Sequence, residues 1–322
     1  MELQKNNETF SSAIQRWKIE FEIRISKRRD EKTVENYINV VQQFENFVFS
    51  DKDLDRTDFI KINHFIIEDF ITYRDKKRKS VTGKELTVST KKNDIKVLKI
   101  FFEFIEDNSD NGVQFFIKWK KVEVGKMPRK EITYHSEDNI IRVLNYMQRS
   151  IKKERTEFAY MVSFTFKLAL YGGLRATEIC NLKLGNFGEV YTSNSEKKKF
   201  VPITIYGKGS TVFTNPIPYE YIKNEFNFFK RNKSKKDELF LTKTGIKLNR
   251  NHLYGYFENI GKLLELDKKG IHIIRRTFAT NLNELGVDIR NIQLLMRHSD
   301  IKTTTIYTAR SQKQMEAAVG KL

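Results

Sequence analysis

With 322 residues, 39% of them hydrophobic, the chain is long enough for two ordinary domains with real cores. Its 59 lysines and arginines exceed its 41 aspartates and glutamates, and the resulting net charge of +18 indicates a polyanionic partner such as nucleic acid. No segment approaches the roughly 20 apolar residues of a membrane span, the N-terminal residues do not resemble a secretory signal, and the single cysteine, Cys180, excludes an internal disulfide and a cysteine zinc site.

Apolar residues at helical spacing, together with only 4 prolines, predict a mainly helical chain. In its first part three helices are expected: Val34–Phe49, His64–Lys76 and Val88–Glu106. On the last of these, one face is apolar and another carries three lysines, Lys92, Lys96 and Lys99, whose spacing suits contact with a phosphate backbone. A plain solvated lysine face is the alternative interpretation.

The helical pattern loosens between residues 111 and 134, where Gly125 and Pro128 break regular structure. We interpret this stretch as a linker between a helical domain, 1–110, and a second domain, 135–322. Helical spacing and strand-like runs in the second domain predict helices and one β-hairpin with a glycine-assisted turn. The helices are Asp138–Gln148, Glu157–Tyr171, Tyr219–Lys230, His252–Leu266, His272–Leu285, Ile289–Met296 and Thr303–Thr308, and the strands are Lys199–Tyr206 and Thr211–Asn215. The expected fold class is mainly α with a small antiparallel β-sheet (α+β).

Two cations of the second domain stand beside glycines that permit tight turns. Arg175 follows Gly172 and Gly173 and opens a helix. Glu178 lies three residues later on the same helix face, where it can pair with Arg175 or another cation. A guanidinium suits two phosphate oxygens, although an ordinary Arg–Glu helix pair is the simpler interpretation. Lys208 lies at the hairpin tip, from which a lysine can protonate a leaving oxygen, whereas most turn lysines are merely solvated.

Four more polar residues complete a set suited to phosphate chemistry: His272, Arg275, His298 and Tyr307. His272 and Arg275 are three residues apart on one predicted helix and face the same site, unless they form only a surface pair. There the imidazole can exchange a proton and the guanidinium can neutralise developing charge. A free phenol, with a pKa of about 10, is a poor nucleophile until donors and cations activate it. Tyr307 is one of 13 tyrosines, and it is a candidate nucleophile only because the other five residues of the set could activate its phenol.

The ordered set of Arg175, Lys208, His272-x-x-Arg275, His298 and Tyr307 resembles the tyrosine recombinase (phage integrase) family. The strings GLRATEI, HIIRRTFAT and HSDIKTTTIYT are similar to the signature boxes of that family in order and spacing, over about Leu168 to Arg310. The basic helical region resembles the family's core-binding domain. The two-domain Xer-like or Cre-like members are the closer comparison.

The resemblance implies a C-shaped clamp, in which the two domains grip opposite sides of duplex DNA. Tyr307 would attack the scissile phosphate to give a 3′-phosphotyrosyl link and a free 5′-hydroxyl, while Lys208 would protonate the leaving oxygen and Glu178 would support the site. The pentacovalent transition state would be stabilised by Arg175, Arg275, His298 and His272. No metal, ATP or other cofactor is implied, because the covalent link conserves the bond energy.

Two arginines depart from the family pattern. Arg276 stands where many members have a second histidine, and Arg297 replaces the glycine that commonly precedes the second box histidine. We assign both, with the three lysines above, to contacts with DNA. The tail Ser311–Leu322 is too short to bury its own apolar residues, and docking into a neighbouring protomer is preferred to packing on its own domain.

The sequence thus predicts a site-specific DNA recombinase, active as a homo-tetramer on two duplex sites and located with the nucleoid in the cytoplasm. Integration, excision and dimer resolution all remain open as its role. A monomeric DNA-relaxing enzyme of the type IB topoisomerase kind would share the chemistry, but the box spacing and the tail favour the recombinase. A non-catalytic DNA-binding regulator is the alternative from another class, and it would have no need of Tyr307.

Overall fold

A computed structural model of the chain describes residues 9–51, 54, 59–109, 112–126, 133–194, 196–206, 211–267 and 270–297. The chain divides into two compact units, residues 1–129 and 130–322. Over the described residues both units are mainly helical, and the second contains one three-stranded antiparallel sheet. The predicted α+β fold class is therefore confirmed.

Over its described residues, the first unit is built from four helices: α1 (Phe10–Ser26), α2 (Glu31–Ser50), α3 (His64–Thr82) and α4 (Val88–Asn108). The last three begin at capping residues, because the side chains of Asp30, Asn63 and Thr87 accept backbone N–H groups of the first turn. These three helices are the ones that the sequence predicts. α3 continues beyond the predicted end at Lys76 to a left-handed cap at Gly83.

The core of the first unit is aromatic. The ring of Phe44 packs edge-on against those of Phe10, Phe70 and Phe102, with centroid distances of 5.8, 5.0 and 5.9 Å. Phe10 belongs to α1, a helix that the sequence analysis did not predict. Since one face of α1 is buried in this core, the first unit begins earlier in the chain than the predicted helices indicate.

Part of the predicted linker also packs on the first unit. Within the described stretch 112–126, Ile117 and Val122 are buried in the aromatic core, and the ring of Phe115 lies 5.0 Å from that of Phe102. Residues 119–121 form one short 3-10 turn. This stretch therefore contributes to the packing of the first unit.

Over the described residues, the second unit contains seven helices and three strands. The helices are α5 (Glu137–Glu154), α6 (Glu157–Gly172), α7 (Ala176–Cys180), α8 (Tyr219–Asn232), α9 (Arg250–Leu263), α10 (Ile271–Glu284) and α11 (Ile289–Met296), and the strands are β1 (Tyr191–Thr192), β2 (Lys199–Tyr206) and β3 (Val212–Pro218). The strands pair in the order β1-β2-β3, with Tyr206 opposite Val212 and Phe200 opposite Pro218. The antiparallel pairing of the predicted hairpin is confirmed, and β3 runs past its predicted end at Asn215, while the predicted glycine-assisted turn lies outside the described residues.

α6 is the central helix of the second unit. It is apolar around most of its circumference, and it packs against α5, α8, α10 and β3. Its Lys167 pairs with the buried carboxylate of Glu225 on α8 at 2.7 Å, and Ser163 donates to the same carboxylate at 2.6 Å. α6 therefore connects the elements that surround the candidate site.

Candidate active site

α6 ends in a glycine turn that leads directly into the site. Gly173 has a φ of +60°, and a Cβ atom built on it would lie 2.5 Å from the ring of Phe278 on α10. A Cβ on Gly172 would lie 2.7 Å from Cδ1 of Ile217 on β3. The turn is thus seated closely against α10 and β3, and its positive φ and the nearby ring favour glycine at position 173.

Arg175 follows this turn at the N-cap of α7. Its backbone N–H donates to Oε2 of Glu178 at 2.7 Å, which is one half of a capping box. Its Nη1 donates to Oε1 of the same carboxylate at 2.7 Å, and its Nη2 donates to the carbonyl of Arg297 at 2.8 Å. The side chain is still 40% exposed, so it is held in place and accessible to a ligand.

Glu178 is a largely buried carboxylate, with a side chain 10% exposed, that is shared by three arginines. Besides pairing with Arg175, it accepts a hydrogen bond from Nη2 of Arg297 at 2.7 Å and lies 3.8 Å from Nη1 of Arg275. Burial raises the pKa of Glu178, but the charge and hydrogen bonds of Arg297, the backbone N–H of Arg175 and the charge of Arg275 bring it below its ordinary value. The carboxylate is therefore ionised at neutral pH.

Arg275 enters the same cluster from α10. It is 8% exposed and donates to the carbonyls of Gly173 and Met296. These hydrogen bonds tie α10 to the glycine turn and to the end of α11. Two of the predicted catalytic residues, Arg175 and Arg275, are thereby brought together at Glu178, although they are far apart in the sequence.

Arg297 ends α11 in the left-handed conformation, with φ of 51° and ψ of 45°. Its side chain is 1% exposed, and besides its contacts with Glu178 it donates to the carbonyls of Gly173 and Leu295, each at 2.8 Å. The guanidinium therefore lies inside the cluster, which differs from the DNA contact that the sequence predicts for it. The physical reason is that a buried carboxylate and two carbonyls already take its donors.

His272 lies at the start of α10, one turn before Arg275, and its ring centroid is 5.8 Å from that of Tyr254. Partial burial lowers the pKa of His272, and the charge of nearby Arg276 lowers it further. The imidazole is thus mainly neutral at pH 7, and in that form one ring nitrogen can accept a proton while the other donates a hydrogen bond. Its predicted catalytic role stays a prediction.

The remaining predicted site residues lie outside the described residues: Lys208, His298, Tyr307, the predicted helix Thr303–Thr308 and the tail Ser311–Leu322. The elements on either side of two of them are described. β2 ends at Tyr206 and β3 begins at Val212, so Lys208 belongs to the connection of the predicted hairpin. Arg297 directly precedes His298 in the chain.

The three lysines of α4 that the sequence assigns to DNA contact are exposed. They are Lys92, Lys96 and Lys99. Lys99 is 3.5 Å from the carboxylate of Glu103, one turn later on the helix. Such an exposed pair contributes little to stability, so it leaves Lys99 able to exchange this partner for a phosphate. The predicted contact with DNA stays a prediction.

Arg276 has a partner within the second unit. Its Nη1 donates to Oγ1 of Thr133 at 3.0 Å, and two residues later the backbone N–H of His135 donates to Oγ1 of Thr277 at 2.9 Å. These bonds fasten the segment before α5 to the helix that carries Arg275. Whether Arg276 also contacts DNA stays a prediction.

Asn215 is a residue of the site that the sequence analysis missed. It is buried on β3, and its Nδ2 donates to the carbonyl of Leu295 at 2.9 Å and to that of Gly172 at 3.3 Å. One amide thus joins the sheet to the glycine turn and to the end of α11. The available signal was an asparagine inside a predicted strand, where this residue is disfavoured unless its amide finds specific partners.

The cluster as a whole carries excess positive charge. Three guanidiniums and one carboxylate leave a formal charge of +2, from three minus one. Cations that are already in position stabilise the negative charge that develops on a phosphate under nucleophilic attack. Within the described part of the chain, no group of three or more His, Cys, Asp or Glu is placed to hold a metal ion. None of the described helices is long and apolar enough to cross a membrane.

Comparison with known proteins confirms the resemblance found in the motifs. The sequence model of the Phage integrase family matches residues 133–314, more than half of the chain. The tyrosine recombinase XerC of Pediococcus pentosaceus is 24% identical over 313 residues, covering 92% of this chain and 93% of that protein. The tyrosine recombinase XerA of Pyrococcus furiosus is 34% identical over 160 residues, covering 47% of this chain and only 51% of that protein.

Solved structures agree with this fold. The XerH site-specific recombinase in a pre-cleavage complex with difH substrate matches with a TM-score of 0.70 and 18% identity, covering 99% of this chain and 97% of that chain. The integrase of the Tn1549 transposon, in complex with a circular intermediate DNA, matches with a TM-score of 0.65 and 17% identity, covering 96% of this chain and 99% of that chain. These similarities extend over both units.

Proposed function

The chain belongs to the phage integrase family of tyrosine recombinases, enzymes that cut and rejoin DNA strands, and we propose that it does so through a covalent bond between Tyr307 and a 3′ phosphate. The phenol loses its proton as its oxygen attacks the scissile phosphorus, the bond from phosphorus to the 5′ oxygen breaks, and that oxygen gains a proton, so the step releases no net proton. In the rejoining step a 5′-hydroxyl attacks the phosphotyrosine and releases the phenol. Because one phosphodiester bond is exchanged for another, the cycle consumes no ATP.

The observation that carries this proposal is the arginine cluster around Glu178. Arg175 and Arg275 come from different elements, and both are fixed by hydrogen bonds to other groups of the second unit. A phosphate that binds beside them would meet guanidiniums that need little rearrangement. Charge arranged in advance in this way stabilises a transition state more than charge that must move during the reaction.

The other polar groups are assigned by their chemistry. Lys208, in the connection between β2 and β3, protonates the leaving 5′ oxygen. His298 and His272 donate hydrogen bonds to the non-bridging oxygens, and a neutral imidazole can also exchange a proton. Glu178 orients the arginines and does not touch the phosphate.

The substrate in this proposal is double-stranded DNA that carries a specific recombination site. The net charge of +18 and the exposed lysines of α4 suit a polyanion, and the XerH protein above was crystallised with its difH substrate. In this proposal a helical domain, 1–110, and a catalytic domain, 135–322, would both contact the duplex. Four copies would act on two sites of nucleoid DNA, with Ser311–Leu322 docked on a neighbouring copy.

A nicked suicide duplex tests the reaction. The duplex sequence would first be selected from a randomised library on the immobilised protein, and the nick would be moved along the selected site. When the nick adjoins the cleavage position, the released fragment diffuses away and the covalent complex accumulates. We expect a denaturant-resistant adduct with the wild type and at least about a hundredfold less with Tyr307→Phe, because the nucleophile is lost. Tyr191→Phe, a change at an exposed tyrosine of β1, is the matched control.

The same duplexes separate the alternatives. Site-dependent adducts and joined product from two duplexes identify a recombinase. Adducts without site preference, together with relaxation of supercoiled plasmid by a monomer, identify a type IB topoisomerase-like enzyme. Tight binding to the selected site with no adduct at any nick position identifies a non-catalytic regulator and refutes the proposal.

A further inference from the structure

The residue that ends α11 is an arginine in a backbone conformation that favours glycine. Arg297 has a φ of 51°, a region in which a residue with a side chain is strained. Glycine would adopt this conformation without that strain. The arginine side chain is nevertheless enclosed, with 1% of its surface exposed. Because glycine would avoid this strain, we infer that the buried guanidinium makes a contribution that offsets its cost.

The guanidinium of Arg297 makes four hydrogen bonds inside the site. Nη2 donates to Oε2 of Glu178 at 2.7 Å, and Nε donates to Oε1 at 3.3 Å. The other two hydrogen bonds go to the carbonyls of Gly173 and Leu295, each at 2.8 Å. The carbonyl of Arg297 also accepts from Nη2 of Arg175 at 2.8 Å. One residue thus contacts the shared carboxylate, the glycine turn and Arg175.

These contacts place Arg297 between the two arginines of the proposed phosphate site. It shares Oε1 of Glu178 with Arg175, and it shares the carbonyl of Gly173 with Arg275. Without its guanidinium, Glu178 would lose one of the two arginines that contact both of its oxygens and would keep Arg175 as the other. Since the side chain of Arg297 is buried, its effect on a phosphate must pass through Arg175 and Arg275.

We propose that Arg297 is a positioning residue for strand cleavage, which fixes Glu178 between Arg175 and Arg275 and so holds both guanidiniums in place. The inference rests on the proposed function, since it assigns those two arginines to the scissile phosphate. This role gives a physical reason for the arginine that stands here in place of the family's common glycine. It also assigns Arg297 to the interior of the site rather than to the DNA backbone.

Three variants on one helix test the proposal with the suicide duplex described above. Arg297→Gly removes the guanidinium and relieves the backbone strain, so it should fold. Its single-turnover rate of adduct formation at saturating duplex should fall about 100-fold, because displaced catalytic groups lose transition-state contacts. The final adduct amplitude and the affinity for the duplex should stay within about twofold of the wild-type values.

Two further variants serve as comparisons. Arg297→Lys keeps one charge and one donor and should recover part of the rate, while Arg290→Ala, at an exposed arginine of α11, should leave the rate unchanged.

Amide hydrogen exchange gives a second readout that does not require catalysis. The backbone N–H of Arg175 donates to Glu178 at 2.7 Å, so its exchange rate reports whether the carboxylate stays in place. In Arg297→Gly this amide should exchange about tenfold faster than in the wild type. Arg290→Ala should not change it.

The outcomes distinguish this inference from the proposed function. An unchanged cleavage rate in Arg297→Gly contradicts the positioning role, and so does a lower amplitude at an unchanged rate, because that pattern indicates misfolded protein only. If the wild type forms no adduct, the proposed function fails. In that case the hydrogen-exchange rate of the Arg175 amide still tests the positioning role. An unchanged rate in Arg297→Gly would refute the claim that Arg297 fixes Glu178.

Discussion

At the scale of single residues, Glu178 balances charges that would otherwise repel one another. Its side chain is 10% exposed and faces the guanidiniums of Arg175, Arg297 and Arg275. Burying a carboxylate costs free energy, which close cations and hydrogen bonds must offset. Removing it would therefore be more harmful than removing an exposed carboxylate, because three buried or half-buried cations would lose their common partner.

We predict that Glu178→Gln lowers the free energy of unfolding of the second unit by about 3–5 kcal/mol, because a broken buried ion pair leaves its partners uncompensated. Urea unfolding followed by circular dichroism would measure this loss. Both tryptophans, Trp17 and Trp119, belong to the first unit, so their fluorescence provides an internal control that should not change. Glu258→Gln makes the same chemical change at a pair with Lys262 that is 53% exposed on the glutamate side, and an equal loss in that variant would contradict the prediction.

The contribution of Glu178 should also depend on pH in a definite direction. Burial raises the pKa of Glu178, but Arg297, Arg175 and Arg275 together hold it below its ordinary value of 4.5. A depressed carboxyl pKa stabilises the folded state fully above the unfolded-state value, and this stabilisation is lost as pH falls through the folded-state value. The difference in unfolding free energy between wild type and Glu178→Gln should be constant from about pH 7 to about pH 5.5 and shrink below about pH 4.5. A difference that already shrinks near pH 6.5 would contradict this assignment.

At the scale of elements, the site forms where several segments end against one another. The glycine turn after α6 supplies the Gly173 carbonyl to Arg275 and Arg297, and Asn215 of β3 bonds both this turn and the end of α11. Because each contact joins a different pair of elements, the arginines depend on packing across the whole second unit.

We predict that Gly173→Ala destabilises the second unit more than Gly245→Ala does. Both glycines have positive φ angles, +60° and +77°, but a Cβ on Gly173 would meet the ring of Phe278 at 2.5 Å, whereas a Cβ on Gly245 would meet no atom within 4 Å. Gly245→Ala should cost about 1–2 kcal/mol from backbone strain alone, and Gly173→Ala should cost a further ~1–3 kcal/mol from overpacking. Equal unfolding free energies for the two variants, by urea titration, would contradict the steric account of the turn.

The elements themselves were largely predictable, because helical spacing is a local signal. α11 has its predicted bounds, Ile289–Met296, and the glycine turn before Arg175 follows from residue type. α1 was missed although Phe10, Ile14 and Phe21 recur at helical spacing, because the exposed Ile19 and Ile23 weaken the contrast between its apolar and polar faces. The contact of Arg297 with Glu178 spans 119 positions, and no local pattern indicates a partner at that distance.

At the scale of the whole molecule, a helical unit and a mixed unit are joined in one strongly basic chain. The family match, residues 133–314, lies within the second unit, while the XerC relative aligns with 92% of the chain. The described residues supply the arginines and Glu178. The central claim therefore depends on Tyr307, which must deliver the nucleophile to the phosphate that those arginines hold.

The most direct test of that claim is to identify the residue that carries DNA. The adduct trapped on the suicide duplex would be digested with trypsin and nuclease, and the modified peptide would be sequenced by mass spectrometry. The account predicts the peptide Thr303–Arg310 with a nucleotide joined through its 3′ phosphate to the phenolic oxygen of Tyr307. A nucleotide attached to any other residue, or joined through a 5′ phosphate, would contradict it.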